Sequence, residues 1–95
     1  MKILRNIKVL KMAINGNSKL GFVPTMGGLH KGHISLIKES IKKCKKTIVS
    51  IYVNPKQFNN KNDFDSYPRN LAKDISILKK LKINYVFIPK NKDIY

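Results

Sequence analysis

The chain has 95 residues and a mass of 10.9 kDa, with 20 Lys and Arg against 5 Asp and Glu, a formal charge of +15 and a sequence pI near 10.2. That length admits one small domain or part of a larger one, and a 42% share of hydrophobic residues excludes a disordered basic tail. The charge raises two readings. Eighteen of the cations are Lys and only Arg5 and Arg69 are Arg, whereas phosphate clamps and groove readers favour the bidentate Arg fork. Lys, Ile and Asn, all with AT-rich codons, together make 41 of the 95 residues. The charge is therefore read first as a record of base composition, with selected polyanion binding as the competing reading.

In chain order, Ile3, Ile7, Leu10 and Ile14 recur at spacings of four, three and four, one apolar helical stripe. Gly16 suits that helix's C-terminus. Residues 19–24 (KLGFVP) read as a buried strand, and residues 25–29 (TMGGL) as a Gly-containing loop. From 31 to 46 the period is helical again: Ile34, Ile37, Ile41 and Cys44 face inward, and Lys38, Lys42, Lys43, Lys45 and Lys46 form a solvated face. Cys44 is the only cysteine, so no disulfide forms within the chain, and it is read as a small core residue.

Residues 47–53 (TIVSIYV) have the profile of a strand covered on both faces. Residues 54–68 form a long polar loop bounded by Pro55 and Pro68, and loops of that length are often functional. Leu71, Ile75, Leu78 and Leu81 mark a helix over 68–81, and residues 85–89 (YVFIP) a third strand. No apolar run reaches the roughly 18–20 residues of a membrane span, and residues 1–19 lack a signal-type apolar core. The expectation is a soluble cytoplasmic protein.

Helix–strand alternation implies a parallel sheet with right-handed crossovers. Three strands make half of a doubly wound α/β domain, whose ligands bind at the carboxyl ends of the strands. The loops beginning near Pro24, Asn54 and Pro89 sit at such ends. The first runs Pro24-Thr25-Met26-Gly27-Gly28-Leu29-His30-Lys31-Gly32-His33 into a helix. Gly27 and Gly28 permit close backbone approach. The helix start offers unpaired N–H groups and partial positive charge to a phosphate. His30 and His33, three apart, project near that same start and can hydrogen-bond phosphoryl oxygens. Metal ligation and plain helix-start roles are the alternatives. No Cys is near and the chain holds only these two His, so no metal site is expected in this segment.

The VPTMGGLHKGH run of residues 23–33 closely resembles the pantothenate synthetase family, adenylate-forming members of the H-x-G-H nucleotidyltransferase superfamily. The resemblance continues through SIYVNPKQF at 50–58, similar to the family's V-N-P-x-Q-F segment, through Tyr67-Pro68-Arg69-Asn70, Asp74, Val86-Phe87-Ile88-Pro89 and Asp93-Ile94-Tyr95. It implies a Rossmann-like fold and ATP-dependent condensation of pantoate with beta-alanine, in pantothenate biosynthesis on the coenzyme A pathway. Pantoate attacks the α-phosphorus of ATP, giving pantoyl-adenylate and pyrophosphate; beta-alanine then displaces AMP. By resemblance, Met26, Gly27, Gly28, Leu29, His30, Lys31, Gly32 and His33 bind ATP. His30 and His33 are catalytic, with His33 the proton donor. Gln57, Met26 and Asn54 bind pantoate, and Gln57 also meets beta-alanine. Tyr67 and Arg69 are structural. Mg2+ is expected with ATP, and a homodimer for the full-length family.

The resemblance also implies what residues 1–95 do not contain: the rest of the nucleotide-binding domain with its G-x-K-D-x-Q-Q-type segment and S-S-R-N-type loop, and a C-terminal domain. The expectation is an N-terminal part of that enzyme with little or no ligase activity alone, and with an unpaired apolar edge at residues 19–24. Two other readings stand beside it. One is another small-molecule nucleotidyltransferase of the superfamily. The other is a basic module binding nucleic acid through its Lys-rich helices, which leaves the His pair and Gln57 unexplained.

Overall fold

The computed structural model describes residues 1–16, 19–52 and 71–89. The elements are β1 (Lys2–Leu4), α1 (Ile7–Ile14), β2 (Leu20–Thr25), α2 (Lys31–Lys43), β3 (Lys46–Ile51), α3 (Leu71–Leu81) and β4 (Tyr85–Phe87). All strand pairs are parallel and the sheet order is β1-β4-β3-β2. The α/β class with a parallel sheet is as the alternation implies, but the described residues hold four strands, not three.

The extra strand corrects the reading of the N-terminus. Ile3 lies four residues before Ile7 and so mimics a helical stripe. Instead, residues 2–4 extend and pair with Tyr85, Val86 and Phe87. Asn6 decides the boundary: its extended backbone caps α1, and its Oδ1 accepts the Val9 N–H at 2.9 Å. An Asn immediately before an apolar helical run is the N-cap signal that the spacing of Ile3 obscured. At the other end Gly16 has φ +80°, the left-handed conformation that stops a helix.

β3 is the central strand, and its alternate residues feed two cores. Val49 and Ile51 pack with Val23, Leu29, Val86, Ile37 of α2 and Leu78 of α3. Ile48 turns to the opposite face, where Leu4, Phe87 and the α1 residues Ile7, Leu10 and Ile14 meet it. Helices thus cover both faces, which is why β3 reads as continuously apolar. Gly21 lets α2 lie close: a Cβ there would run into the Ser40 hydroxyl and come within 3.0 Å of Cys44 Sγ. The α2 stripe is covered only in part. Ile37 is fully buried, but Ile41 is 39% exposed. β2 is an edge of the described sheet, and its Phe22 is 51% exposed.

The amino ends of the strands are tied by polar contacts. Asn84 Oδ1 accepts the Thr47 N–H at 2.8 Å, and the Asn84 carbonyl accepts the Lys2 N–H at 3.0 Å. The carboxyl ends open on the loop that carries the two histidines.

Candidate functional site

Thr25 closes β2 and begins the site. Its buried Oγ1 donates to the Ser50 carbonyl at 2.9 Å, anchoring the loop to β3, and accepts the Gly27 N–H at 3.2 Å. Gly27 (φ +85°) and Gly28 (φ +63°) then turn the chain in the left-handed region. Gly27 is also tightly enclosed: an added Cβ would stand 3.3 Å from Asp74 Oδ2. Both glycines are therefore required by backbone conformation, and Gly27 by space as well.

Asp74, near the start of α3, closes the turn. It is only 2% exposed, and each carboxylate oxygen accepts one backbone N–H: Oδ2 from Gly28 and Oδ1 from Leu29, both at 3.0 Å. Leu29 adds its side chain to the core. These contacts bear on how the loop can hold an anion. The N–H groups of Gly28 and Leu29 are directed at a carboxylate, so the donors facing outward belong to the helix start and the imidazoles.

His30 is the N-cap of α2, with extended backbone. Its Nδ1 accepts the Gly32 N–H at 3.1 Å, and its own N–H donates to His33 Nδ1 at 3.2 Å. The pair forms a reciprocal capping box built from two imidazoles. The rings lie 4.0 Å apart between centroids, tilted by 42°. Gly32 makes room for this: a Cβ there would sit 3.0 Å from His30 Cε1. The hydrogen bonds assign the tautomers. A neutral imidazole whose Nδ1 accepts a bond carries its proton on Nε2. Both rings therefore present an Nε2–H donor beside the N-terminus of a 13-residue helix, where the macrodipole favours an anion. Desolvation and the adjacent His30 hold His33 below the ordinary value of 6.5, while the charge of Asp74 pulls it upward. The lowered proton affinity favours the neutral imidazole of His33, in which Nε2–H is the free donor.

The structure brings Met26, Gly27, Gly28, Leu29, His30, Lys31, Gly32 and His33 into this one loop and helix start, with Met26, Gly28, His30, Lys31 and Gly32 exposed. Asn54 and Gln57 lie outside the described residues, as do Tyr67, Pro68, Arg69 and residues 93–95. Thr25, Ser50 and Asp74 are the structural partners that spacing alone did not assign. Asp74 entered the sequence reading only as one matching residue, because nothing local shows that α3 returns to this loop. A separate groove of about 500 Å³ lies between α1 and the amino ends of the strands, lined by Lys2, Ile3, Val9, Met12, Lys46 and Tyr85. It is at the opposite end of the sheet from the histidines.

Comparison with known proteins bears on the identity of this loop. The family model for pantoate-beta-alanine ligase matches residues 2–95. The chain belongs to the pantoate-beta-alanine ligase family. Pantothenate synthetases of Francisella philomiragia and Francisella tularensis subsp. novicida are 50% and 52% identical to it over 98 aligned residues. Those alignments take in 100% of this chain and 38% of each relative, so the chain spans well under half the length of the ligases it matches. Among solved structures, pantoate-beta-alanine ligase from Francisella tularensis, complexed with beta-gamma ATP and beta-alanine, superposes with a TM-score of 0.94 at 51% identity, over all of this chain and 38% of that one. The Thermus thermophilus ligase superposes with a TM-score of 0.92 at 34% identity, over all of this chain and 34% of that one. The four-stranded sheet and its helices are thus the N-terminal part of the ligase fold.

Proposed function

We propose that this chain supplies the ATP-binding part of a pantothenate synthetase, which joins pantoate to beta-alanine through a pantoyl-adenylate. The observation that carries the proposal is the paired capping of α2, which leaves two Nε2–H donors at a helix N-terminus. Membership of the ligase family supports the choice of substrates, and the Francisella tularensis relative with bound ATP analogue and beta-alanine supports those two directly.

In this reading a pantoate carboxylate oxygen attacks the α-phosphorus of ATP and pyrophosphate leaves. His30 and His33 hydrogen-bond the phosphoryl oxygens and stabilise the charge that grows on them. His33 is the proton donor, through Nε2–H. Met26, exposed at the mouth of the loop, contributes to the nucleotide and pantoate pockets. Gly27, Gly28 and Leu29 shape the ATP loop, and Lys31 and Gly32 open the helix under the phosphates. Asn54 and Gln57 are assigned to pantoate, and Gln57 to beta-alanine, on the V-N-P-x-Q-F match. The beta-alanine amine then attacks the acyl carbon and AMP departs. Mg2+ is expected to arrive with the triphosphate, as the family resemblance implies. A homodimer in the cytoplasm completes the reading.

The test is a chimera in which these 95 residues replace the matching segment of the Francisella tularensis ligase. Labelled pyrophosphate should exchange into ATP only when pantoate is present, and pantothenate should form once beta-alanine is added. Exchange that ignores pantoate would point to a different nucleotidyltransferase. The isolated chain should show little or no ligase activity, because preorganised donors act together and a subset loses orders of magnitude.

A further inference from the structure

We propose that Asp74 is the positioning residue of the histidine pair: its carboxylate clasps the Gly28 and Leu29 amides and so fixes the two imidazoles in the form that presents both Nε2–H groups. The use of that form by a nucleotide rests on the reading above; the clasp itself does not.

Asp74 is the one charged side chain that is buried among the described residues. Burying a carboxylate is costly unless its oxygens are satisfied, and here each oxygen takes a different amide of the same loop. The two amides are consecutive and end where the N-cap begins. Leu29 is held twice, by its N–H on Asp74 and by its side chain in the core. The peptide plane that follows carries the His30 N–H, which donates to His33 Nδ1. Rotation of that plane breaks this bond and frees His33 to change tautomer. Through Gly32, His30 is fixed on the same turn. A long-range contact, 45 and 46 residues apart in sequence, therefore sets a local capping box. Asp74 also faces His33 electrostatically, opposing the desolvation that lowers its proton affinity.

The experiment is ¹⁵N NMR of the imidazoles in the 95-residue chain, compared with Asp74→Asn. The Asn amide keeps one acceptor oxygen and sets an NH2 donor where the second oxygen stood, so it cannot take one N–H on each atom as the carboxylate does. Above pH 7 the unsubstituted chain should show unprotonated Nδ1 and protonated Nε2 on both rings. Asp74→Asn should show averaged tautomers on His30 and His33 and a lower His33 titration midpoint, while amide shifts of the β3 and β4 core stay in place. Gly28→Pro breaks the clasp from the exposed loop side, removing one donor and forbidding φ +63°. It should give the same averaging, and it decides the matter if Asp74→Asn does not fold. Imidazole signals identical to those of the unsubstituted chain in a folded variant would overturn the proposal, whatever happens to stability. A MgATP titration of the chimera, with and without Asp74→Asn, separates the two layers. A loss of affinity of about tenfold in Asp74→Asn, the equivalent of one hydrogen bond, supports both. Altered imidazoles in the chain, with a chimera that never binds MgATP, would uphold the clasp and remove the nucleotide reading.

Discussion

A single nitrogen defines the chemistry of each histidine. Nδ1 is occupied as an acceptor, so Nε2–H is the donor left free. This separates two jobs that the motif spacing had merged, the capping of a helix and the phosphate contact proposed above. His33→Gln distinguishes them. Gln at this position of a capping box can still accept the N-cap N–H, so thermal stability above pH 7 should hold within a few degrees. Adenylation in the chimera should fall by about 10²-fold, the typical loss for one oxyanion donor. The pH dependence follows from the same residue. Folding holds His33 below 6.5, so the unfolded chain binds more protons as the solution is acidified. Its contribution to stability is complete above pH 6.5 and is lost as the pH falls through the lowered folded value. Melting temperature should therefore decline from pH 7 towards pH 5, and His33→Gln should flatten that decline. The histidines and glycines of the site were legible because loop, helix start and motif are contiguous. Asp74 was not, because its role depends on a crossover that returns α3 to β2.

At the scale of elements, the sheet tolerates little at the β2–α2 contact. Gly21→Ala places a methyl group against Ser40 and Cys44, and overpacking of this kind costs about 1–3 kcal/mol. Chemical denaturation should show a lower midpoint with an unchanged slope. Helices α2 and α3 and strands β2, β3 and β4 were legible from periodicity, since each buries one apolar face or two. The N-terminus was not. Ile3 and Ile7 satisfy a helical spacing, while the cap at Asn6 and the pairing of residues 2–4 with β4 divide them into a strand and a helix. Pairing with a partner more than 80 residues away leaves no local trace beyond that cap.

For the molecule as a whole, the charge and the exposed apolar side chains have different consequences. The +15 charge is carried mainly by Lys, whereas the anion site proposed above rests on two imidazoles and a helix start. β2 has a free edge among the described residues, with Phe22 half exposed beside it. Such an edge templates strand pairing, so the isolated chain should self-associate with rising concentration despite its charge. Phe22→Lys should reduce that association in sedimentation velocity. The free edge accompanies a chain that covers 38% of its Francisella relatives, which is why activity is best measured in the chimera. Its most direct test uses pantoate labelled with ¹⁸O in the carboxylate. Attack on the α-phosphorus followed by amine displacement must leave one labelled oxygen on the phosphate of AMP, read as a ³¹P isotope shift. Label in AMP, formed about 10²-fold more slowly with His33→Ala, is the predicted result; AMP without label would contradict an adenylate, and an unchanged rate in His33→Ala would contradict the role given to the histidine pair.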